Sequence, residues 1–218
     1  MGLLVAVSGK ARVGKDTFSK FLASALKDIT KEDYTLIAYA DELKRRLMED
    51  FDLSHEQVYG DLKEEPDTRY PKKRDYSKLH EDGKLWVEKD LYWSPREIMQ
   101  FIGTDCYRKV DDVFWVKAVF KRIEKDKLQN VILTDCRFKD EIDAVLDKGG
   151  FHIRILRDHN QIVHGMNHAS EVSVEDDYKV DVLIDNSGSL QDLANSAKDT
   201  ASVIDYLNSK KDFKFGGM

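Results

Sequence analysis

The sequence predicts an α/β fold in which a mostly parallel sheet carries helices on both faces. Three observations support this. Short apolar runs alternate with stretches of helical period along almost the whole chain. The clearest runs, such as GLLVAV at 2–7, are apolar at successive positions, as strands buried on both faces must be. A glycine-rich loop then joins the first such run to a patterned helix. No internal repeat or low-complexity tract interrupts this order.

GLLVAV is the first strand, and Phe18, Phe21, Leu22, Ala25 and Leu26 recur at the spacing of one core-facing helical stripe. TLIAYA (35–40) reads as a second strand and ADELKRRLMEDF (40–51) as a second helix. Residues 54–93 break the pattern. They are crowded with charged residues and tyrosine, hold Pro66 and Pro71, and show no sustained apolar period, so they read as an insertion or cap. Periodicity returns at SPREIMQFIGTDCYRKV (94–110). There Ser94 and Glu97 form a capping box around Pro95, and Ile98, Ile102 and Cys106 make an apolar line. A helix follows Asp112, with Val116, Val119, Phe120 and Ile123 facing inward.

NVILTD (130–135) is another buried strand. The next helix carries Phe138, Ile142, Val145 and Leu146 and stops at Lys148-Gly149-Gly150. FHIRIL (151–156) alternates, as a strand with one more polar face does. A polar loop runs to Tyr178. DVLID (181–185) and a long helix through Leu190, Leu193, Ala194, Ala197 and Ile204 complete the order, with a frayed tail expected at 210–218.

Composition narrows the function. A formal net charge of −6 argues against salt-driven adhesion to nucleic acid or to an anionic membrane. No apolar run approaches the roughly 20 residues of a membrane span, and the apolar start lacks a basic leader and a cleavage site. Cys106 and Cys136 are too few for a disulfide framework, so a reducing cytoplasm is expected.

The loop itself reads GKARVGKDT (9–17), close to the phosphate-loop pattern G-x-x-x-x-G-K-[ST]. Its position between an apolar strand and a patterned helix is the context that motif requires, and it points to a three-layer P-loop NTPase fold. In such a loop the backbone N–H groups of Gly9, Arg12, Val13 and Gly14 and the helix N-terminus cradle phosphate, and Lys15 reaches the β- and γ-phosphates. Asp16 stands where a hydroxyl is usual, with Thr17 one residue later. A carboxylate beside bare phosphate would be repelled. It becomes useful if Mg²⁺ lies between them, because Mg²⁺ takes one or two carboxylates plus phosphate oxygens. A simple helix-terminal charge is the competing reading of Asp16.

The second constellation is TDCRFKDE (134–141). Asp135 falls at the carboxyl end of a strand, where open α/β sheets bind ligands, and suits a Mg²⁺-bound water or a substrate hydroxyl. Arg137 is placed to neutralise a transferring phosphoryl group, and Glu141 to orient it or bind substrate; an i,i+4 surface pair is the plain alternative. Arg96, Gln100, Thr104 and Arg108 form a polar stripe beside Gly103, which a ligand could approach closely. Trp115 suits either the core or a base platform. Arg157 opens the loop after FHIRIL and is the best cation there for donor phosphates. His159, His164 and His168 in the same loop have no cysteine and no zinc-like spacing.

Taken in order, these segments resemble the deoxynucleoside monophosphate kinases of tailed bacteriophages, within the nucleoside monophosphate kinase-like P-loop superfamily. The resemblance rests on S-G-K-x-x-x-G-K-D-T (8–17), A-D-x-L-K (40–44), P-R-E-x-x-Q-x-x-G-T-D (95–105) and W-V-K (115–117). It continues through T-D-x-R-x-x-x-E (134–141), H-x-S-E (168–171) and I-D-N-x-G-S-L (184–190). It implies ATP- and Mg²⁺-dependent phosphorylation of a deoxynucleoside monophosphate, in a host cytoplasm if phage-encoded, with no nucleic-acid or membrane partner. A homodimer is compatible with this. The resemblance also implies that Lys15, Asp16 and Arg137 act on the phosphoryl group, and that Asp16, Thr17 and Asp135 hold Mg²⁺. Asn186 would lie against the donor adenine. Arg96, Gln100, Arg108, Trp115, Asp135, Arg137 and Glu141 would form the acceptor site. The expected organisation is a kinase core at 1–53 and 94–209, an acceptor-side cap at 54–93 and a lid at 157–178. Two rivals stay open on the residues alone: another small-molecule P-loop kinase, acting on dephospho-coenzyme A or phosphomevalonate, and a P-loop protein that binds ATP without catalysis.

Overall fold

The computed structural model describes residues 2–72, 91–157 and 178–215, with side chains as far as residue 210. The chain divides into two units, Met1–Ala40 with Val116–Met218, and Asp41–Trp115.

In the first unit the apolar runs become five parallel strands: β1 (Leu4–Ser8), β2 (Thr35–Ile37), β3 (Val131–Cys136), β4 (Phe151–Leu156) and β5 (Val182–Asp185). Their order across the sheet is β2-β3-β1-β4-β5, so β1 is central and pairs with β3 on one side and β4 on the other. All five residues of β1 are buried, as its continuous apolar sequence requires. Alternation sends Val5, Val7, Ile153 and Ile155 into a core with α1 (Lys15–Thr30) and the C-terminal helix, Leu190–Phe215. There Phe18, Leu22 and Leu26 meet Leu193, Ala197, Ala201 and Ile204, the two alanines allowing close approach. The other face of β1 and β4 packs on the helix Lys139–Leu146, through Ile142 and Val145.

β2 is shorter than TLIAYA predicts. It stops at Ile37, and α2 (Tyr39–Asp50) begins two residues later. The cause is distant in sequence: Asp135 accepts the backbone N–H of Tyr39 at 2.6 Å and of Ala40 at 3.3 Å. A carboxylate on the first free N–H groups starts the helix that a local pattern would have delayed.

The described residues of the second unit are mainly helical. Residues 54–72 hold more regular structure than their composition predicts, because Ser54 and Gln57 form a capping box that starts α3 (His55–Tyr59). A 3₁₀ turn follows at Asp61–Glu64. The box at Ser94 and Glu97 forms as expected and starts α4 (Pro95–Gln100). The predicted single helix then widens into a π-helix over Phe101–Arg108. Trp115, at the start of α5 (Phe114–Lys125), donates its indole N–H to the Gly103 carbonyl inside that π segment at 2.8 Å. The core here joins Leu47, Leu53, Val58 and Ile98. In chain order the helices Lys139–Leu146 and Leu190–Phe215 are α6 and α7. Among the described residues no helix is long and apolar enough to cross a membrane.

Candidate active site

The loop between β1 and α1 has the backbone a phosphate cradle needs. Gly9 has φ 149° and Gly14 φ 97°, and space forbids a side chain at either. A Cβ on Gly9 would lie 2.5 Å from the Ile155 carbonyl oxygen, and one on Gly14 2.5 Å from the Asn186 amide nitrogen. Arg12 takes the left-handed region without being glycine, at φ 63°, a strained choice of the kind that collects at functional loops.

Lys15 is the first residue of α1 and only 8% exposed. Its ammonium donates to the carbonyls of Gly9 and Lys10, each at 2.8 Å. The side chain therefore folds back over the loop it serves, and its charge stands at the concave backbone. Asp16 is exposed in the first turn of α1, beside the half-buried Thr17. Lys10, Val13, Ile155, Leu156, Arg157, Leu183, Asp185 and Ser187 line a cavity of about 490 Å³ along one side of the loop. Arg157 and the residues flanking Asn186 thus share one cavity with the phosphate loop. Asn186 is buried and spends its amide on the Val13 carbonyl at 2.8 Å, clamping the loop from β5.

At the end of β3, Asp135 uses both carboxylate oxygens on α2 as described above. Glu141 is 3% exposed, and its Oε2 accepts the backbone N–H of Arg137 at 2.7 Å and of Phe138 at 3.1 Å. It is the inner acid of the α6 N-terminus, and it fixes the peptide from which Arg137 projects. A buried carboxylate seated on the Arg137 and Phe138 backbone differs from a solvated surface i,i+4 contact. The Tyr39 hydroxyl donates to the Glu141 carbonyl at 3.0 Å, and burial raises its pKa well above the usual phenol range. Burial likewise raises the Cys136 thiol, which keeps it protonated and inert; both cysteines are free.

In the second unit, Arg96, Gln100, Thr104 and Arg108 are all half-buried along α4 and its π-helical continuation. An α-turn advances an i+4 series by about 40°, while a π-turn of roughly 4.4 residues sets it back by a similar angle. The π segment therefore holds the stripe on one line. Arg96 pairs with Glu64, and Arg108 donates to the Asp112 carbonyl at 2.8 Å. Gly103 is buried because Leu43 of α2 occupies its space: a Cβ there would lie 2.7 Å from a Leu43 methyl. A packed leucine, not a ligand, makes the close approach that this glycine allows. Trp115 is 4% exposed and edge-on to Tyr107 and Phe114, so its ring is packed away from solvent.

His159, His164, Asn167, His168, Ser170 and Glu171 lie outside the described residues, as does most of the 157–178 segment. Among the described residues no group of three or more His, Cys, Asp or Glu could hold a metal alone.

Sequence reasoning missed three buried polar residues. Ser8 contacts His152 at 2.7 Å, and Arg154 contacts Ser8 at 3.4 Å, directly beneath the start of the loop. The alternation of FHIRIL was the available signal, since it places a histidine and an arginine on one strand face.

The family model for deoxynucleotide monophosphate kinase matches residues 62–197. An Acanthamoeba polyphaga mimivirus protein, provisionally named a deoxynucleotide monophosphate kinase, is 27% identical over 219 residues, covering 93% of this chain and 99% of its own. The deoxynucleotide monophosphate kinase of Enterobacteria phage T4 is 31% identical over 119 residues, covering 51% of this chain and 47% of the phage protein. A solved sugar kinase from a Janibacter species covers 94% of this chain and 96% of that one, but its 13% identity and TM-score of 0.39 carry no argument. With the family model spanning more than half its length and the phosphate loop in place before it, the chain belongs to the deoxynucleotide monophosphate kinase family.

Proposed function

We propose that this chain transfers the γ-phosphoryl group of ATP to a deoxynucleoside monophosphate, giving the diphosphate and ADP, in the cytoplasm of the cell that makes it. The observation that carries this is the loop at 9–17: a buried Lys15 lies on its own cradle, beside a cavity that Arg157 also lines. The cavity of about 490 Å³ suits the nucleoside end of ATP, with the triphosphate on the loop and the α1 N-terminus. Asn186 then serves the donor by holding Val13, and through it the loop.

Phosphoryl transfer asks the protein for alignment and charge neutralisation more than for covalent chemistry. Lys15 and Arg137 neutralise the transferring group, joined by Arg12 or Arg157. Glu141 fixes the peptide that launches Arg137. Arg96, Gln100 and Arg108 bind the acceptor, with Trp115 steadying their π-helical turn through Gly103. Residues 54–93 are assigned to the acceptor side.

The donor set fits Mg²⁺. Asp16 is exposed at the helix start next to the Thr17 hydroxyl, and Asp135 stands at the carboxyl end of β3 with its carboxylate on the first N–H groups of α2. Asp16, Thr17 and Asp135 would hold the ion directly or through water. It would supply charge neutralisation at the phosphates. No wider set of protein ligands is needed, because Mg²⁺ keeps several waters.

An ADP-release assay tests the reading, run with the four common deoxynucleoside monophosphates and with dephospho-coenzyme A and phosphomevalonate. Turnover dependent on at least one deoxynucleoside monophosphate is expected. Turnover only with one of the other two acceptors, or ATP binding with no acceptor-dependent turnover, refutes it.

A further inference from the structure

Beneath the phosphate loop runs a chain of buried polar groups that the reaction scheme above does not use. Ser8 ends β1, immediately before Gly9, and is fully buried. Its hydroxyl lies 2.7 Å from Nε2 of His152, also fully buried. The other ring nitrogen, Nδ1, lies 3.1 Å from the Lys179 carbonyl. Arg154, 3% exposed, donates Nη1 to the Ser8 oxygen at 3.4 Å. In the parallel pairing of β1 with β4, Ser8 is in register with Arg154 and Ala6 with His152, so all three side chains share the face that packs on α6.

The proton positions follow from the partners. A carbonyl oxygen can only accept, so Nδ1 carries the proton. Burial beside the Arg154 cation disfavours a second one, so the ring is neutral and Nε2 is a lone pair. The Ser8 hydroxyl must then donate to Nε2, which turns its own lone pairs toward Arg154. Every group donates in one direction, from Arg154 through Ser8 and His152 to Lys179. The far end is pinned in turn. His152 and Asp181 exchange two bonds, the His152 N–H to the Asp181 carboxylate at 2.8 Å and the Asp181 N–H to the His152 carbonyl at 2.9 Å. The Lys179 ammonium and the Tyr178 hydroxyl both bind Asp143 of α6.

We propose that His152 and Ser8 are positioning residues of the donor site, holding the strand end from which the phosphate loop departs and aiming the Arg154 guanidinium as a fixed cation beneath it. A hydroxyl with one allowed orientation, and a guanidinium already seated on it, need little reorganisation when a triphosphate arrives. The contact between Gly9 and Ile155 passes any movement of β4 straight into the loop, since no side chain lies between them. This rests on the reading of 9–17 as the ATP site.

The test measures ATP affinity by titration calorimetry and the KM for the deoxynucleoside monophosphate, on wild type, Ser8→Ala, His152→Gln and His152→Leu, with thermal melts confirming that each is folded. Glutamine can accept the Ser8 hydroxyl where Nε2 stood, whereas leucine cannot. Loss of one buried hydrogen bond corresponds to about fivefold. Ser8→Ala and His152→Leu are therefore expected to weaken ATP about fivefold, with the acceptor KM within about twofold, and His152→Gln to bind ATP within about twofold of wild type. If His152→Leu does not fold, Ser8→Ala and His152→Gln carry the same comparison. Folded Ser8→Ala with unchanged ATP affinity overturns the proposal, and so does equal loss of donor and acceptor. Wild type that fails to bind ATP overturns the ATP-site reading as well, which separates the two.

Discussion

The two units hold several of their charged groups in different ways. In the first, Lys15, Asp135, Glu141 and Asn186 each direct a polar side chain onto backbone N–H or C=O groups, and His152 does so at one end of its ring. In the second, Arg45 pairs with Glu49 and Arg96 with Glu64, side chain to side chain and open to solvent. Bonds to a folded backbone fix one geometry and are shielded from salt. Exposed ion pairs between long side chains are exchangeable and contribute about 0–1 kcal/mol each. The difference suits the proposed division of labour, with a donor site built before the nucleotide arrives and acceptor-side cations that can change partner.

The largest expected effects lie in the first unit. Lys15→Met should lower kcat/KM by about 10³ or more, because it removes a preorganised charge from the transferring phosphoryl group. Steady-state kinetics measure this, and a loss below about tenfold would show that the loop binds phosphate without acting on it. Asp16→Asn should keep ATP affinity within about twofold while lowering turnover at least about tenfold, as loss of a metal carboxylate predicts. Unchanged turnover reduces Asp16 to a charge at the start of α1.

Acid separates the units next. Burial holds the His152 imidazole below its ordinary value, so the folded state binds fewer protons there than the unfolded chain. Stability from this site is complete above about pH 6.5 and falls as pH drops through that value toward the lower folded pKa. In the second unit, the Arg69 guanidinium bonded to Asp67 holds that carboxyl at about 2. Its contribution persists down to about pH 4 and fades only below it. Thermal melts at about pH 7.5 and 5 should therefore show wild type losing about 3 °C more than His152→Gln, while Asp67→Asn changes little between the two. Equal pH shifts in wild type and His152→Gln would remove His152 from the account.

What the sequence made legible was local. β1, β3 and β4 appear as apolar runs, the loop as glycines around a lysine, and the start of α4 as a capping box. Each depends on neighbours a few positions apart. What escaped depends on partners far along the chain. β2 ends early because Asp135 reaches Tyr39. The π-helix accompanies a bond from Trp115 to Gly103, and Gly103 is small because Leu43 needs the room. Asn186 is a clamp on Val13, 173 residues away, where the family resemblance implied a place against the donor adenine. The polar face of FHIRIL is buried on the α6 side, with His152 and Arg154 tied to Ser8. Motif and period name the residues of the site, while topology decides which atom each one bonds.

The smallest expected effect tests the second unit's exchangeable charge most directly. Arg96 is engaged by Glu64, with both side chains about half exposed. If Arg96 binds the acceptor phosphate, that phosphate must displace Glu64 first, and the carboxylate acts as a competitor built into the protein. Glu64→Gln removes the competing charge while keeping the side chain's shape. Stability should change by less than about 0.5 kcal/mol, as for other exposed pairs. The acceptor KM should fall by about twofold in low salt, with kcat and the KM for ATP unchanged. In about 1 M salt, where the screening length is about 3 Å, the difference between variant and wild type should vanish. A raised acceptor KM would mean that Glu64 positions Arg96 for the acceptor rather than competing with it. A change in the KM for ATP would place Arg96 on the donor side.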